Sequence, residues 1–171
     1  MLLTFACSVI YSPALPAQET ENVIINPGFE DDLVDWLTAH DFNMSHVVPE
    51  AARSGAFGLR VTDEMPKEGS GLQSLPVPVE GGNTYELSFW MRLVSGEGRV
   101  TVWLRLFDER TKSVSKSRID LKVEPVSEWK RYSVKSKLPE EAVQAAVRIT
   151  SANKDVLTVD IDDFELREVE D

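Results

Sequence analysis

Two tryptophan–arginine pairs are the residues of this chain best suited to hold another molecule. Trp90 is followed two positions later by Arg92, and Trp103 two positions later by Arg105. A flat indole brings apolar area and a guanidinium brings five donors in a rigid fork, so each pair combines stacking with hydrogen bonding. Other chemistries find less support. The 29 Asp and Glu residues offer so many carboxylate pairs that none is informative for general acid and base work. His40 and His46 have no nearby cysteine and no His-x-x-x-His companion, which argues against zinc. There is no Gly-x-Ser-x-Gly elbow and no glycine loop that would cradle phosphate. His46 as a triad base lacks companions, and a partly exposed strand histidine is the favoured reading.

The elements that position the two pairs are read from Tyr85–Phe107, where two period-2 segments flank a glycine-bearing loop, Ser95-Gly96-Glu97-Gly98. Side chains alternate between the faces of a strand. Tyr85, Leu87, Phe89 and Met91 therefore share one face, and Val100, Val102, Leu104 and Leu106 share another. Each segment has one apolar face for a core and a second face carrying its Trp and Arg. If the loop makes a hairpin, the pairs lie side by side; if it crosses between sheets, they lie on different surfaces.

Shorter alternating runs follow the same pattern: 22–25, 42–48, 57–61, 72–77, 119–123, 129–134, 145–150 and 157–166. Polar, Gly- or Pro-bearing segments separate them. Only 139–146 has helical composition, and it is too short for an independent helix. Nine or ten short strands with almost no helix predict an all-β fold, a β-sandwich of jelly-roll type. A length of 171 residues suits one domain with a substantial core.

The net charge of −11 argues against nucleic acid and is easier to reconcile with a neutral or cationic ligand, or a polymer. Residues 1–17, an uncharged apolar run ending in small residues and prolines, read as a signal peptide without its usual basic start, with cuts after Ala14 or Ala17. A frayed terminus is the alternative. The run is too short to span a bilayer. Cys7, the only cysteine, falls inside it, which leaves a mature chain no disulfide or thiolate site.

Several motifs fall into a recognisable order: Asn26-Pro27-Gly28-Phe29-Glu30, Trp36, Ser54-Gly55, Leu59-Arg60-Val61, the stretch Gly82–Arg92, Glu128-Trp129-Lys130, Leu138-Pro139 and Ile161-Asp162-Asp163-Phe164-Glu165-Leu166. Over 22–168 the chain resembles the CenC-type carbohydrate-binding modules, the group around families four, nine and twenty-two within the galactose-binding-like jelly rolls. The resemblance implies a structural calcium where the two ends of the domain meet, carried by Glu30, by a loop carbonyl near Ser54, and by Asp162 or Asp163. Calcium takes such hard oxygen ligands. A bulge at the Asp pair would decide which of the two points inward. The alternative is a turn-capping Glu30 and solvated strand-end aspartates. Trp36 and Trp129 match family positions that are structural, which implies packing roles.

The resemblance also gives the Trp–Arg pairs a ligand. Sugars present apolar C–H faces and hydroxyl edges, and Trp90, Arg92, Trp103 and Arg105 on one concave face would meet both, with Gln73 and Glu86 adding hydrogen bonds. Trp90 packed under a loop, with the arginines paired to surface acids, is the structural alternative. The first expectation is a secreted or cell-envelope, non-catalytic module that binds polysaccharide or oligosaccharide, stiffened by calcium, alone or beside a separate carbohydrate-active enzyme. The second is an envelope module of the same fold that docks a protein. A small carbohydrate-active enzyme ranks third.

Overall fold

The two long alternating segments form strands that are not partners. In the computed structural model, which describes residues 20–114, 119–151 and 154–170, β6 (Thr84–Glu97) belongs to one sheet and β7 (Val100–Phe107) to the other. The link is a corner. Gly96 and Gly98 hold φ of 80° and 146° and press against 155–157, where a Cβ on Gly96 would come within 2.2 Å of the Val156 carbonyl oxygen. Only glycine fits that approach. The backbone N–H of Arg99 then donates to Asp155 Oδ2 (2.7 Å), pinning the crossing.

The remaining strands are β1 (Trp36–Leu37), β2 (Ser45–Val48), β3 (Gly58–Asp63), β4 (Gly71–Ser74), β5 (Val77–Pro78), β8 (Ile119–Val123), β9 (Lys130–Lys137), β10 (Gln144–Ser151) and β11 (Val156–Val169). Sheet A runs β1-β4-β10-β7-β8 with β5 also on β10, and sheet B runs β2-β3-β11-β6-β9. Every strand pairing is antiparallel. This is the expected all-β sandwich. The core lies between the sheets, with Leu87, Phe89 and Met91 facing Val102, Leu104, Val147 and Ile149. Aromatic rings close one end: Phe29 lies 4.9 Å from Trp36, and Phe164 lies 5.4 Å from Trp36 and 5.2 Å from Phe89 between centroids. Contacts at these separations add about 0.5–1.5 kcal/mol each beyond area burial. Trp36 is the packing residue expected, its Nε1 donating to the Asn26 carbonyl (3.2 Å).

Two sequence expectations change. The run 22–25 lies along β11 through Val23 N–H to the Leu166 carbonyl (3.1 Å) and the Asn22 side chain, without forming a ladder of its own. The strand expected over 42–48 begins only at Ser45, because Phe42 and Asn43 sit at φ of 53° and 62°, a left-handed turn that no strand admits. The segment 1–17, with Cys7, lies outside the described residues.

Candidate binding cleft and the opposite face

Because the apolar faces of β6 and β7 both look into one core from facing sheets, their polar faces must look in opposite directions. Trp90, Arg92 and Glu86 accordingly stand on the outside of sheet B, and Trp103, Arg105 and Gln73 on the outside of sheet A. The shared concave platform expected from the sequence is therefore split. The glycine corner crosses between sheets instead of folding back as a hairpin.

On sheet A the register sets a straight row across five strands: Leu37, Gln73, Arg148, Trp103 and Asp120. Arg105 is a diagonal neighbour of Arg148, two residues along β7. Opposite it stands Ala146, which is buried without belonging to the core cluster. That small residue lets the Arg105 side chain lie across β10 and reach Gln73 Oε1 on β4 (3.5 Å). The Arg148 guanidinium carbon lies 5.8 Å from the Trp103 ring centroid. Above this floor is a cleft of about 820 Å³, lined by His40, Phe42, Glu68, Trp103, Arg105 and Arg148 among others.

Both walls are tied down. Asp41 is buried and accepts from Ser45 N–H (2.7 Å) and Ser45 Oγ (2.6 Å), so its neighbours His40 and Phe42 are turned outward. Phe42 is 56% exposed, a free aromatic surface at the rim. Gly71 lets this loop close on the sheet, since a Cβ there would stand 2.7 Å from the His40 carbonyl oxygen. On the other side Ser70 N–H donates to Ser151 Oγ (2.7 Å), which donates to Asp63 Oδ2 (2.5 Å), fixing the end of the loop that bears Glu68. Arg148, Phe42, His40 and Glu68 were not among the residues expected to bind. Arg148 and Thr150 had the right alternation in Ala145–Thr150, but the strand order that sets Arg148 beside Trp103 is a long-range fact.

Sheet B's outer face is chemically different, because Arg60, Arg92 and Arg131 on it, and Arg53 over it, are paired with carboxylates. Asp160 is fully buried and accepts from Arg60 Nε and Nη2 (2.7 and 3.0 Å) and from Arg92 Nε and Nη2 (2.9 and 2.8 Å). The Asp160 hydrogen bond, against the cost of burial, raises the Arg60 guanidinium further above its ordinary value. Arg92 also donates to the Glu50 carbonyl (2.7 Å) and lies 4.9 Å over Trp129. Trp90 is covered by Arg53, 3.6 Å from the ring centroid, which is itself bonded to Asp163 (2.8 Å). Glu86 faces Arg131 at 4.0 Å. His46 is exposed on β2, in register with Arg60.

The expected metal residues do gather where the chain's two described ends meet. Asp162 lies fully buried on β11 under the loop 52–57, accepting from Arg53 N–H (2.7 Å), Ser54 N–H (3.1 Å) and Asp163 N–H (2.8 Å). Burial pushes its carboxyl up to about 6, with the three N–H donors opposing. A register shift follows Asp162, and Asp163 at φ 52° turns outward to accept from Ser54 Oγ (2.6 Å). The bulge thus makes Asp162 the buried member of the pair. Glu30 accepts from Ala56 and Phe57 N–H, and Gly55 at φ 66° is required there, since a Cβ would stand 2.0 Å from Glu30 Oε1. The oxygens nearest the open side of Gly28 are Asp162 Oδ1 and Asp163 Oδ1, at 3.5 and 3.9 Å from where its Cβ would be. The donor set is of the hard-oxygen kind that calcium takes, and in that respect the residues fit. Among the described residues no three His, Cys, Asp or Glu side chains close into a metal cage, so backbone carbonyls would have to complete one.

A two-sheet sandwich with a walled, Trp- and Arg-floored cleft on one outer face defines a β-sandwich binding domain. Residues 21–155 match the family model CBM_4_9, described as a carbohydrate binding domain, and the chain belongs to that family. The Asp162–Asp163 pair falls beyond the matched span. No curated protein matches the sequence. Among solved structures, the enzymatically active domain of tailspike protein 4 of bacteriophage CBA120 aligns with a TM-score of 0.71 at 13% identity, over 86% of this chain and 21% of that one. TmCBM61 in complex with β-1,4-galactotriose aligns at 0.66 and 18%, over 88% and 100%. The CBM22-1 xylan-binding domain of Paenibacillus barcinonensis Xyn10C aligns at 0.60 and 16%, over 91% and 99%. At these identities the structural likenesses show the fold.

Proposed function

We propose that the chain is a secreted, non-catalytic module that binds a polysaccharide chain in the cleft of sheet A. The observation that carries this reading is the composition of that one surface: Trp103 beside Arg105, Arg148 and Gln73 on the floor, with Phe42 exposed at the rim. Trp103 supplies a flat apolar face for the C–H side of a sugar ring, and the guanidinium and amide groups supply donors and an acceptor for its hydroxyls. Among the described residues lining the cleft Glu68 is the one carboxylate, whereas glycoside hydrolysis uses a pair, which supports holding over hydrolysis. The apolar, small-residue-ended run 1–17 is what supports secretion, and a separate carbohydrate-active enzyme is the partner such a module would serve.

A calcium ion at the joint, held by Glu30 and Asp162 with carbonyls of the 52–57 loop, would supply the countercharge that the buried Asp162 carboxylate lacks. The ion would act on stability, since Asp162 belongs to sheet B and the cleft to sheet A. Affinity electrophoresis of the mature domain against soluble glucans, xylans, mannans and galactans tests the binding. Retardation by at least one polymer, lost in Trp103→Ala with the fold intact, is the expected outcome. Release of reducing ends from the retarding polymer would overturn the non-catalytic assignment.

A further inference from the structure

Arg105 differs in what it touches from five of the ten arginines of this protein. Arg53, Arg60, Arg92, Arg131 and Arg167 each lie within ion-pair distance of an Asp or Glu. Among the described residues no carboxylate lies that close to Arg105; its guanidinium makes one long hydrogen bond to Gln73 (3.5 Å) and stands 5.1 Å over Phe107. In a chain with 29 acidic side chains against 18 basic ones, a half-buried guanidinium kept from acids at the floor of a cleft is an organised feature. Arg148, its diagonal neighbour, lines the same cleft and brings a second guanidinium to it.

Resting on the reading that this cleft holds polysaccharide, we infer that its ligand carries carboxylates: a polymer containing uronic acid residues, recognised through Arg105 with Arg148 beside it. A guanidinium fork matches the two oxygens of a planar carboxylate and pairs with them more strongly than with neutral hydroxyls. Trp103, next to Arg148 on the floor, would take the ring face of the sugar whose carboxylate the arginines hold. Ala146 contributes by its size, since it leaves the channel through which Arg105 crosses the sheet.

The overall charge of −11 had suggested a neutral or cationic ligand, but it acts at another range. At physiological ionic strength charges are screened over about 8 Å, so distant acids repel a polyanion weakly, while an arginine in direct contact keeps its attraction. Glu68 on the wall sets a direction in which a carboxylate would not be tolerated.

The test measures affinity for alginate, polygalacturonate and glucuronoxylan, each before and after chemical reduction of its carboxyls to neutral hydroxymethyl groups, beside the neutral polymers named above. At least one native uronic-acid polymer is expected to bind about tenfold more tightly than its reduced form, the worth of one charge-assisted hydrogen-bonded contact. In Arg105→Gln, verified as folded by its thermal transition, that ratio should fall towards one, and Arg105→Lys should recover only part of it. Equal affinity for native and reduced polymers, with binding still lost in Trp103→Ala, would overturn the uronate assignment and leave the cleft standing. A preference for a sulfated polymer over every carboxylated one would also overturn it. Absence of binding to all polymers, charged and neutral, would remove both the assignment and the cleft reading beneath it.

Discussion

The two outer faces of the sandwich use the same residue types to opposite ends. Sheet B carries Trp90, Arg60 and Arg92, with Arg53 and Trp129 from flanking loops, and each of those arginines is bonded to Asp160 or Asp163, with Arg53 and Arg92 laid over the two tryptophans. Sheet A carries Trp103 and Arg105 at equivalent spacing, yet Arg105 meets no carboxylate among the described residues and the ring opens on a cleft. A Trp-x-Arg motif therefore has no function of its own. What decides is whether the next strand supplies a buried carboxylate, as β11 does with Asp160, or an alanine, as β10 does with Ala146.

The comparison breaks most visibly at Asp160. Asp160→Ala would leave Arg60 and Arg92 facing each other over a vacated site. The partners are only partly exposed, so we expect a loss of about 3 kcal/mol, read as a lowered midpoint in urea unfolding. Polymer binding by the folded fraction should be unchanged. A shift under half a kcal/mol would mean that the cluster is no keystone of sheet B.

The tryptophans sharpen the contrast by exchanging readouts. Trp103→Ala should cost about 2 kcal/mol of affinity, near 30-fold, with little change in melting temperature, since its face borders the cleft. Trp90→Ala should do the reverse: affinity is kept, and stability drops by about 1 kcal/mol through loss of the Arg53 stack. The opposite pattern in isothermal titration and melting curves would assign the ligand to sheet B.

At the joint, the raised carboxyl of Asp162 gives a signed pH dependence. Its folded-state value of about 6 lies above the ordinary 3.8, so the folded protein holds that proton longer than the unfolded chain. Its contribution is fully present below pH 4 and is lost as pH rises through about 6. Calcium would bind the ionised form, so its stabilising increment should grow across that window. Melting curves at about pH 4.5 and about pH 7.5, with calcium or with chelator, should show the larger calcium increment at the higher pH. In Asp162→Ala, which leaves no side-chain oxygen to ligate, that increment should vanish; its survival would exclude Asp162 as a ligand.

How legible was this in the chain? Alternation and glycine-bearing turns carried the all-β fold, because the period-2 pattern is local and each apolar face had one place to go. Tyr85–Met91 and Val100–Leu106 also gave their inward faces correctly. The pairing of sheets was not local. Whether Gly96 and Gly98 close a hairpin or turn a corner depends on 155–157 pressing against them, sixty residues away in sequence. For the same reason Arg148 stayed hidden, although its alternation was visible, and Phe42 was read as strand because the buried Asp41–Ser45 bonds that turn it outward could not be seen.

The smallest expected effect is the most pointed test of the contrast. Arg92→Gln and Arg105→Gln are the same chemical change at the same place in the motif, on opposite faces. Removing Arg92 takes away two hydrogen bonds to the buried Asp160, one to the Glu50 carbonyl and the cover over Trp129, for an expected loss of about 1–2 kcal/mol. Removing Arg105 takes away one long bond to Gln73, and a glutamine in its place can still lie over Ala146, so stability should move by less than about 0.5 kcal/mol. A Tm drop in Arg105→Gln as large as that in Arg92→Gln would mean that Arg105 is a structural residue, and the two faces would then differ in exposure alone.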